Sequence, residues 1–243
     1  MNNQTTGNVL VLGGSSVIGR SVALAFGRES WTVGVHYHRH HSKAEEVATL
    51  IHDAGGRASL VQADVRNPAQ IRKGLQHFIQ EVGPFQVLIW AVGTGTSGLV
   101  VKTSPDEWTR SLQLNLTSAF HTLQAAAPVF VQQHRGAVIL IGSLSGEQGM
   151  PGQAAYAASK AGLIGLMKTA AREWGEFNVR VNTIFPGWHL SSLTESIFGA
   201  ALQHHPHVLH RTPTLEHVAQ TVYHLALAED VSGQVWNLDS RIW

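Results

Sequence analysis

The most constraining feature of this sequence is the alternation of short apolar runs with longer amphipathic stretches along its whole length. A run of about five apolar residues is typical of a buried strand, and a longer stretch with helical periodicity is typical of a surface helix. This alternation predicts parallel strands joined by crossover helices, because parallel strands need long connections. The predicted strands are 8–12, 32–37, 58–62, 87–91, 137–141, 180–184 and 234–238.

Helix boundaries follow from apolar periodicity and from residues that favour helix ends. Two capping boxes, Ser42 with Glu45 and Ser104 with Glu107, predict helix starts, because the hydroxyl and the carboxylate satisfy free backbone N–H groups there. The predicted helices cover 18–26, 42–54, 104–134, 154–175 and 214–228, and a further one begins at Asn67-Pro68. We therefore predict an α/β fold with one domain over 1–243, in which a doubly wound parallel sheet has helices on both faces.

The composition excludes several classes of protein. The 243 residues include 17 basic and 16 acidic side chains, a formal charge of +1, which gives no electrostatic footprint for nucleic acid or an anionic membrane. Cysteine is absent, which excludes disulfide scaffolds, zinc fingers and thiol nucleophiles. The apolar stretches are too short to span a bilayer, and the polar start lacks the features of a signal peptide. We therefore expect a cytoplasmic protein.

A glycine-rich turn, from Gly13 to Gly19, links the first predicted strand to the first helix. Glycines here allow a sharp turn and bring backbone N–H groups to a diphosphate at the helix N-terminus, where the helix dipole favours negative charge. The alternative is a plain strand-to-helix connection, because a glycine-rich turn alone is weak evidence. Its place between a strand and a helix favours a dinucleotide site in a Rossmann-type sheet.

The end of the second predicted strand indicates which dinucleotide is bound. NAD-binding sheets place an acidic residue there for the ribose hydroxyls, whereas NADP-binding sheets place cations for the 2′-phosphate. This sequence has His38 and Arg39 there, with Lys43 nearby and no acidic residue in reach. Arg39 offers a planar fork to a phosphate, and Ser15 or Ser16 offers a hydroxyl. NADP(H) is therefore favoured over NAD.

The histidines have other interpretations. His36, His38 and His40 alternate and could be metal ligands on one strand face, but no carboxylate accompanies them, so we predict no metal site. Solvated histidines without a role are the more favoured alternative. A second histidine-rich stretch lies within 187–212, an irregular segment longer than an ordinary loop, and is interpreted as a polar surface. The segment 187–212 itself is predicted to be a substrate lid.

A small set of side chains downstream matches the needs of hydride transfer to a carbonyl. Tyr156 and Lys160 lie one helical turn apart on one face, and Ser143 follows the fifth predicted strand. A phenol with a pKa of about 10 is a poor proton donor at neutral pH, and a neighbouring ammonium should lower that pKa. Ser143 would hydrogen-bond the substrate oxygen, and Asn115 would hold the water that returns the proton.

A wider set of motifs around these residues resembles one family. The motifs are Ser143, Gly149, the stretch 152–162 with its Tyr156-x-x-x-Lys160, Arg180-Val-Asn182 and Pro186-Gly187. They resemble the short-chain dehydrogenase/reductase family, and the resemblance covers essentially the whole chain. Within that family the stretch from Ser143 to Gly187 is most similar to the 3-oxoacyl-ACP reductase branch. The resemblance implies a catalytic set of Ser143, Tyr156, Lys160 and Asn115.

The resemblance also implies how the cofactor is held. Gly13, Ser15, Ser16, Ile18 and Gly19 would contact the diphosphate and the adjacent ribose, and His38 and Arg39 would lie at the 2′-phosphate. Asp64 and Val65 match the pair that contacts adenine, and Ala91, Val92 and Gly93 would pass beneath the adenosine ribose. Gly187, His189 and Ser191 match the segment at the nicotinamide carboxamide, and Tyr156 and Lys160 would contact the cofactor as well.

Three departures from the family pattern predict an altered cofactor affinity. Val17 replaces the middle glycine of the turn and could crowd it, and Trp90-Ala91 stands where the family has two asparagines. The usual Val-Asp-Gly-Gly near the C-terminus reads Asn-Leu-Asp-Ser at 237–240. The end of the second strand is also similar to NADP-dependent pteridine reductases of the family, but those replace the active-site serine with an acid, and Ser143 is retained here.

The favoured function is NADPH-dependent reduction of a ketone to a secondary alcohol. A 3-oxoacyl thioester, which an acyl carrier protein could deliver, is implied as the substrate by resemblance alone. Two alternatives stay open: an NAD(P)-dependent oxidoreductase of another small ketone, alcohol or pteridine, and a nucleotide-binding sensor or scaffold without turnover. The pocket would be formed by 93–100, 148–153 and the lid from Trp188 onward. The apolar helix over 154–175, together with the family, predicts a homotetramer, with a dimer as the alternative.

Overall fold

The apolar runs of the sequence form the strands of one parallel sheet in the computed structural model, which describes residues 6–95, 97–189 and 207–241. The strands in these ranges are β1 (Asn8–Leu12), β2 (Thr32–Tyr37), β3 (Arg57–Gln62), β4 (Val87–Trp90), β5 (Gly136–Ile141), β6 (Val179–Phe185) and β7 (Val235–Asn237). Their spatial order is β3-β2-β1-β4-β5-β6-β7, and every neighbouring pair is parallel. Each predicted strand is confirmed, with its ends within one residue of the prediction.

Helices cover both faces of the sheet, which confirms the doubly wound α/β fold. They are α1 (Val17–Arg28), α2 (His41–Asp53), α3 (Pro68–Val82), α4 (Pro105–Leu112), α5 (Ser118–Gln133), α6 (Ser145–Gln148), α7 (Ala154–Trp174) and α8 (Leu215–Leu227). One apolar core lies between the sheet and α1, α2 and α8, and a second lies between the sheet and α3, α5 and α7. None of the helices in the described ranges is long and apolar enough to cross a membrane.

The helix starts show where local sequence signals decide the structure. The Asn67 side chain accepts hydrogen bonds from the backbone of Ala69 and Gln70 at the start of α3, as predicted. The capping box of Ser104 and Glu107 also forms, at the start of α4.

The capping box predicted for Ser42 and Glu45 is wrong. Helix α2 begins earlier, at His41, and its N-cap residue His40 makes no side-chain capping hydrogen bond. Ser42 therefore lies inside the first turn of the helix. Glu45 instead faces His41 one turn away, with 3.3 Å between its Oε2 and the imidazole Nδ1.

The long helix predicted over 104–134 is interrupted. A π turn at Gln113–Thr117 separates α4 from α5. Such a turn inserts an extra residue into the helix, and it is frequent at functional sites. The apolar periodicity of the sequence could not reveal it, because the residues on both sides keep their helical conformation. The inserted turn contains Asn115, which is fully buried.

Candidate active site

The carboxyl ends of the parallel strands meet at one edge of the sheet, and a cavity of about 310 Å³ lies there. The wall of the cavity draws on the turn after β1 and on the chain that follows β4, β5, β6 and β7. It is lined by 15–18, Lys43, Ala91, Val92, Gly93, Gly95, 141–145, Gln153, Tyr156, Lys160, 186–189 and Asp239. The edge formed by the carboxyl ends of the strands is where open parallel sheets bind their ligands.

The glycine turn has the geometry that a close approach of the backbone requires. Gly13 has a φ of +78°, a conformation that favours glycine. A side chain at Gly19 would overlap the carbonyl oxygen of Gly13, so α1 can pack on the turn only with glycine at this position. Ser16 caps α1, because its hydroxyl accepts a hydrogen bond from the backbone N–H of Gly19 at 3.2 Å. Val17 is the first helical residue and lies on the cavity wall, 36% exposed.

His36 is a structural residue of this turn, which the sequence did not indicate. Its Nδ1 accepts a hydrogen bond from the backbone N–H of Gly13 at 3.0 Å, and its Nε2 lies 3.0 Å from the carbonyl oxygen of Ala63. The side chain is 3% exposed, and burial lowers the pKa of the imidazole to about 4. Both ring nitrogens are therefore engaged by backbone groups, so the alternative of His36 as a metal ligand does not fit this structure.

The residues expected at the 2′-phosphate and the adenine lie on the chain after β2 and β3, and they are not part of the cavity wall, whereas the three expected beneath the adenosine ribose follow β4 and do line it. His38 and Arg39 are exposed, and Val65 is buried. The Asp64 carboxylate accepts two hydrogen bonds from the Arg66 guanidinium at 3.0 and 2.7 Å, and this contact lowers the pKa of Asp64 to about 2.

The expectation that no acidic residue is in reach of the end of β2 is wrong. Asp64 Oδ2 lies 3.7 Å from His38 Nε2, because the ends of β2 and β3 are neighbours in the sheet. Arg66 already neutralises this carboxylate, however, so the end of β2 keeps a positive balance.

The structure brings Ser143, Tyr156 and Lys160 together on the cavity wall. Ser143 follows β5, and the other two side chains come from the first turns of α7. The Ser143 side chain faces the hydroxyl of Tyr156 closely enough to favour the ionised form of the phenol. Lys160 Nζ donates to the carbonyl oxygen of Ile141 at 2.8 Å and lies 5.8 Å from the centre of the Tyr156 ring.

The pKa of Tyr156 does not follow the expectation that a neighbouring ammonium lowers it. Burial raises the pKa of Tyr156 above its usual value, and the contact with Ser143 offsets only part of that rise. Burial also lowers the pKa of Lys160 to about 8. The predicted acidification of the phenol by Lys160 is therefore not seen in this structure, because the amine binds Ile141 and the site is desolvated.

Asn115, in the π turn between α4 and α5, connects the chain after β4 to α7. Its Oδ1 accepts from the backbone N–H of Thr94 at 2.8 Å, and its Nδ2 donates to the Thr94 carbonyl oxygen at 2.9 Å and to Ser159 Oγ at 2.9 Å. Ser159 lies on α7 between Tyr156 and Lys160. The side chain of Asn115 thus holds the chain after β4 against the helix that carries the other two residues, and its predicted role in holding water stays a prediction.

The chain after β4 and β6 completes the wall. Gly93 lies so close to Lys160 Nζ and Asn115 Oδ1 that a Cβ added there would be 3.4 and 3.5 Å from them. Gly187 has a φ of +79°, and His189 Nε2 lies 2.8 Å from the carbonyl oxygen of Pro186. Ser191 and the part of the predicted lid at 190–206 lie outside the described residues.

The structure adds two buried polar groups to the predicted site residues, one of them within the predicted pocket segment 148–153. Gln153 is 4% exposed and lines the cavity, and its Oε1 accepts no hydrogen bond within the described ranges. Asp239 also lines the cavity and pairs with Arg241. The sequence showed that residues 237–240 depart from the family pattern, but only the folded chain places Asp239, one of these residues, on the cavity wall.

Comparisons with known proteins agree with this geometry. The family model described as short chain dehydrogenase matches residues 7–201. The chain is 35% identical to 3-oxoacyl-[acyl-carrier-protein] reductase FabG of Staphylococcus aureus over 192 residues, which are 79% of this chain and 78% of that protein. It is 33% identical to the 3-oxoacyl-[acyl-carrier-protein] reductase of Synechocystis over 234 residues, 95% of this chain and 94% of that protein. The chain therefore belongs to the short-chain dehydrogenase family and is an NAD(P)-dependent oxidoreductase.

Proposed function

We propose that this protein uses NADPH to reduce a ketone to a secondary alcohol, and that its substrate is a 3-oxoacyl thioester. The observation that carries the proposal is the single cavity that joins the glycine turn to Ser143, Tyr156 and Lys160. The names of the curated relatives favour the thioester substrate, and they favour an acyl carrier protein as the partner that delivers it.

The described residues fit a nicotinamide dinucleotide. A Cβ at Gly19 would overlap the carbonyl oxygen of Gly13, so glycine at this position keeps the start of α1 packed closely on the turn, where its backbone N–H groups could face a diphosphate. Ser15, Ile18, Ala91 and Val92 extend the wall from the turn towards the catalytic side chains. When bound, the reduced cofactor would supply a hydride to the carbonyl carbon of the substrate.

The protein's own side chains would donate the proton to the substrate oxygen and orient the substrate. Tyr156 remains protonated at neutral pH, because burial raises its pKa, so it is in the form that donates a proton to the developing alkoxide. Ser143 donates a hydrogen bond to the same oxygen and orients it. The pKa of Lys160 is lowered to about 8, so its amine stays mostly protonated at neutral pH and holds a positive charge 5.8 Å from the centre of the Tyr156 ring. Asn115 holds this constellation to the chain after β4.

The preference for NADPH over NADH rests on charge. Arg39 and His38 are exposed at the end of β2, where the 2′-phosphate would lie. Asp64 is the nearest acidic group to His38, and the Arg66 guanidinium holds it. A 2′-phosphate would therefore meet a positive surface, whereas a ribose diol would meet the Asp64 carboxylate only where Arg66 already holds it.

The arrangement of the protein outside the cavity is part of the same proposal. We propose one catalytic domain over 1–243 with a lid over 187–212, a homotetramer, and a cytoplasmic location. Trp108 on α4 and Phe120 on α5 are 42% and 45% exposed, which favours burial of these two helices against another copy of the chain.

The deciding experiment measures initial rates with NADPH and with NADH against an acetoacetyl thioester and a panel of small ketones. We expect reduction of the thioester with NADPH, and we expect Tyr156→Phe to lower kcat by about 10²–10⁴-fold, the usual contribution of a positioned acid. Tyr223→Phe, on α8 and away from the cavity, is the matched control. Full activity of Tyr156→Phe would refute the mechanism, and NADPH binding without turnover of any ketone would favour a sensor.

A further inference from the structure

The chain after β7 carries a buried ion pair that the proposed reaction does not use. The Asp239 and Arg241 side chains are 1% and 2% exposed. Arg241 Nε donates to Asp239 Oδ1 at 2.8 Å, and Nη2 donates to Oδ2, so the guanidinium grips the carboxylate through two hydrogen bonds. Burying two charges is costly even when they pair, so such a pair is weak evidence for a role in stability alone.

The guanidinium of this pair lies against an aromatic ring of the cavity wall. Arg241 Cζ is 4.5 Å from the centre of the Trp188 ring, within the range of a cation–π contact. Trp188 is half-buried and lines the cavity, as does Asp239. The indole of Trp188 thus contacts the guanidinium and also borders the cavity.

The order of the strands places Trp188 at the ketone end of the cavity. It follows β6, beside Ser143, which follows the neighbouring strand β5. The glycine turn follows β1, which is three strand spacings, or about 14 Å, from β6. Gly187 and His189, on either side of Trp188, are the residues predicted at the nicotinamide carboxamide, so Trp188 lies where the reacting end of a dinucleotide would meet the ketone.

The ion pair is itself anchored by the segment that leads into α8. His207 and Arg241 form an antiparallel bridge, and the backbone N–H of Val208 donates to the carbonyl oxygen of Ser240 at 2.9 Å. His207 Nδ1 also lies 2.9 Å from Ser240 Oγ. These contacts fix the backbone of Ser240 and Arg241, and so they help to hold the guanidinium in place against the indole.

We propose that Asp239 and Arg241 are positioning residues that hold the indole of Trp188 as a fixed apolar wall at the ketone end of the cavity. The pair would then act on the affinity for the ketone more strongly than on the affinity for the dinucleotide. A flat apolar wall favours substrates with an apolar chain or ring beside the carbonyl. The proposal rests on the reductase function proposed above, because it assigns the ketone to this end of the cavity.

The test removes the pair without leaving one charge buried alone, which would by itself destabilise the fold. Asp239→Asn combined with Arg241→Met keeps the approximate volumes and removes both charges. We expect the KM for acetoacetyl-N-acetylcysteamine to rise by about tenfold, with kcat and the Kd for NADPH within about twofold of the unmodified protein. Arg211→Met, an exposed arginine in the same region, is the control and should change none of the three.

A double-mutant cycle separates positioning from a general structural effect. In a Trp188→Leu background the pair substitution should leave the KM within about twofold, because the indole that it positions is gone. A tenfold rise in that background, or an equal rise in the Kd for NADPH, would overturn the proposal.

A fluorine label reads the position of the indole without any turnover. With 5-fluorotryptophan incorporated, the resonance assigned by its loss in Trp188→Phe should shift in the pair variant and stay in place in Arg211→Met. An unmoved resonance would overturn the positioning role whether or not a ketone is reduced. A shifted resonance in a protein that reduces no ketone would retain the role and refute the proposed function.

Discussion

His36 gives the sharpest test of how the glycine turn is held. The side chain accepts a hydrogen bond from Gly13 only while its Nδ1 is unprotonated, and burial keeps it so. Its pKa is lowered from 6.5 to about 4 in the folded protein. Between these two values the unfolded chain binds more protons than the folded one, so stability must fall as the pH falls.

The magnitude follows from the size of the shift. The full contribution of His36 is present above pH 6.5, and it is lost as the pH falls through about 4. A shift from 6.5 to about 4 corresponds to about 3 kcal/mol of unfolding free energy, most of which is lost by pH 4.5.

The assay compares His36→Asn with the unmodified protein by urea unfolding at pH 7.5 and pH 4.5, at one protein concentration. The Asn amide oxygen can accept the hydrogen bond from Gly13, but it does not titrate. We expect the variant to be less stable at pH 7.5, because the contact with Ala63 is lost. The difference in unfolding free energy between the two proteins should shrink by about 2–3 kcal/mol at pH 4.5. His40→Asn, on an exposed side chain, should show no such change in this difference. A difference for His36→Asn that is equal at both pH values would refute the reasoning.

Three further predictions follow from the geometry of the site. Gly19→Ala should weaken NADPH binding by about tenfold or more, because the added methyl meets the carbonyl oxygen of Gly13. Gly165→Ala on α7 is the control and should leave NADPH binding unchanged, because its methyl meets nothing within 4 Å. Titration of nicotinamide fluorescence measures both. Arg39→Gln should raise the Kd for NADPH by about tenfold and leave that for NADH unchanged, and equal losses for both cofactors would contradict the assignment of the 2′-phosphate. Light scattering at micromolar concentration should give the mass of a tetramer, and a monomer would rule out the proposed assembly.

The sequence predicted strands such as β1, β4 and β5 well because each is an almost continuous apolar run. A strand buried on both faces requires such a run, so the signal lies in neighbouring residues. The helix starts predicted at Asn67 and Ser104 are confirmed, because a capping side chain satisfies backbone groups within a few residues of itself, so its signal also lies in neighbouring residues. The wrong prediction at Ser42 shows that capping residues alone do not fix a helix start, because α2 begins at His41, one residue before the predicted capping box.

The candidate site was predictable where a motif lies on one element. Tyr156 and Lys160 share a face because they are four residues apart on a helix, and the turn from Gly13 to Gly19 lies between adjacent elements. The contacts that set their chemistry join residues far apart in the chain. Lys160 binds Ile141 and not the phenol, and Asn115 binds Thr94 and Ser159, which no spacing in the sequence reveals.

The sequence by itself determined the parallel α/β architecture, the glycine turn and the set of catalytic candidates, because each depends on residues close together along the chain. Only the tertiary structure decided that His36 supports the turn from within, that Asp64 lies beside His38, and that the Asp239–Arg241 pair lies behind Trp188. These contacts arise where the ends of different strands meet at one edge of the sheet. Their burial, and with it the pKa of each group, depends on everything that packs around that edge.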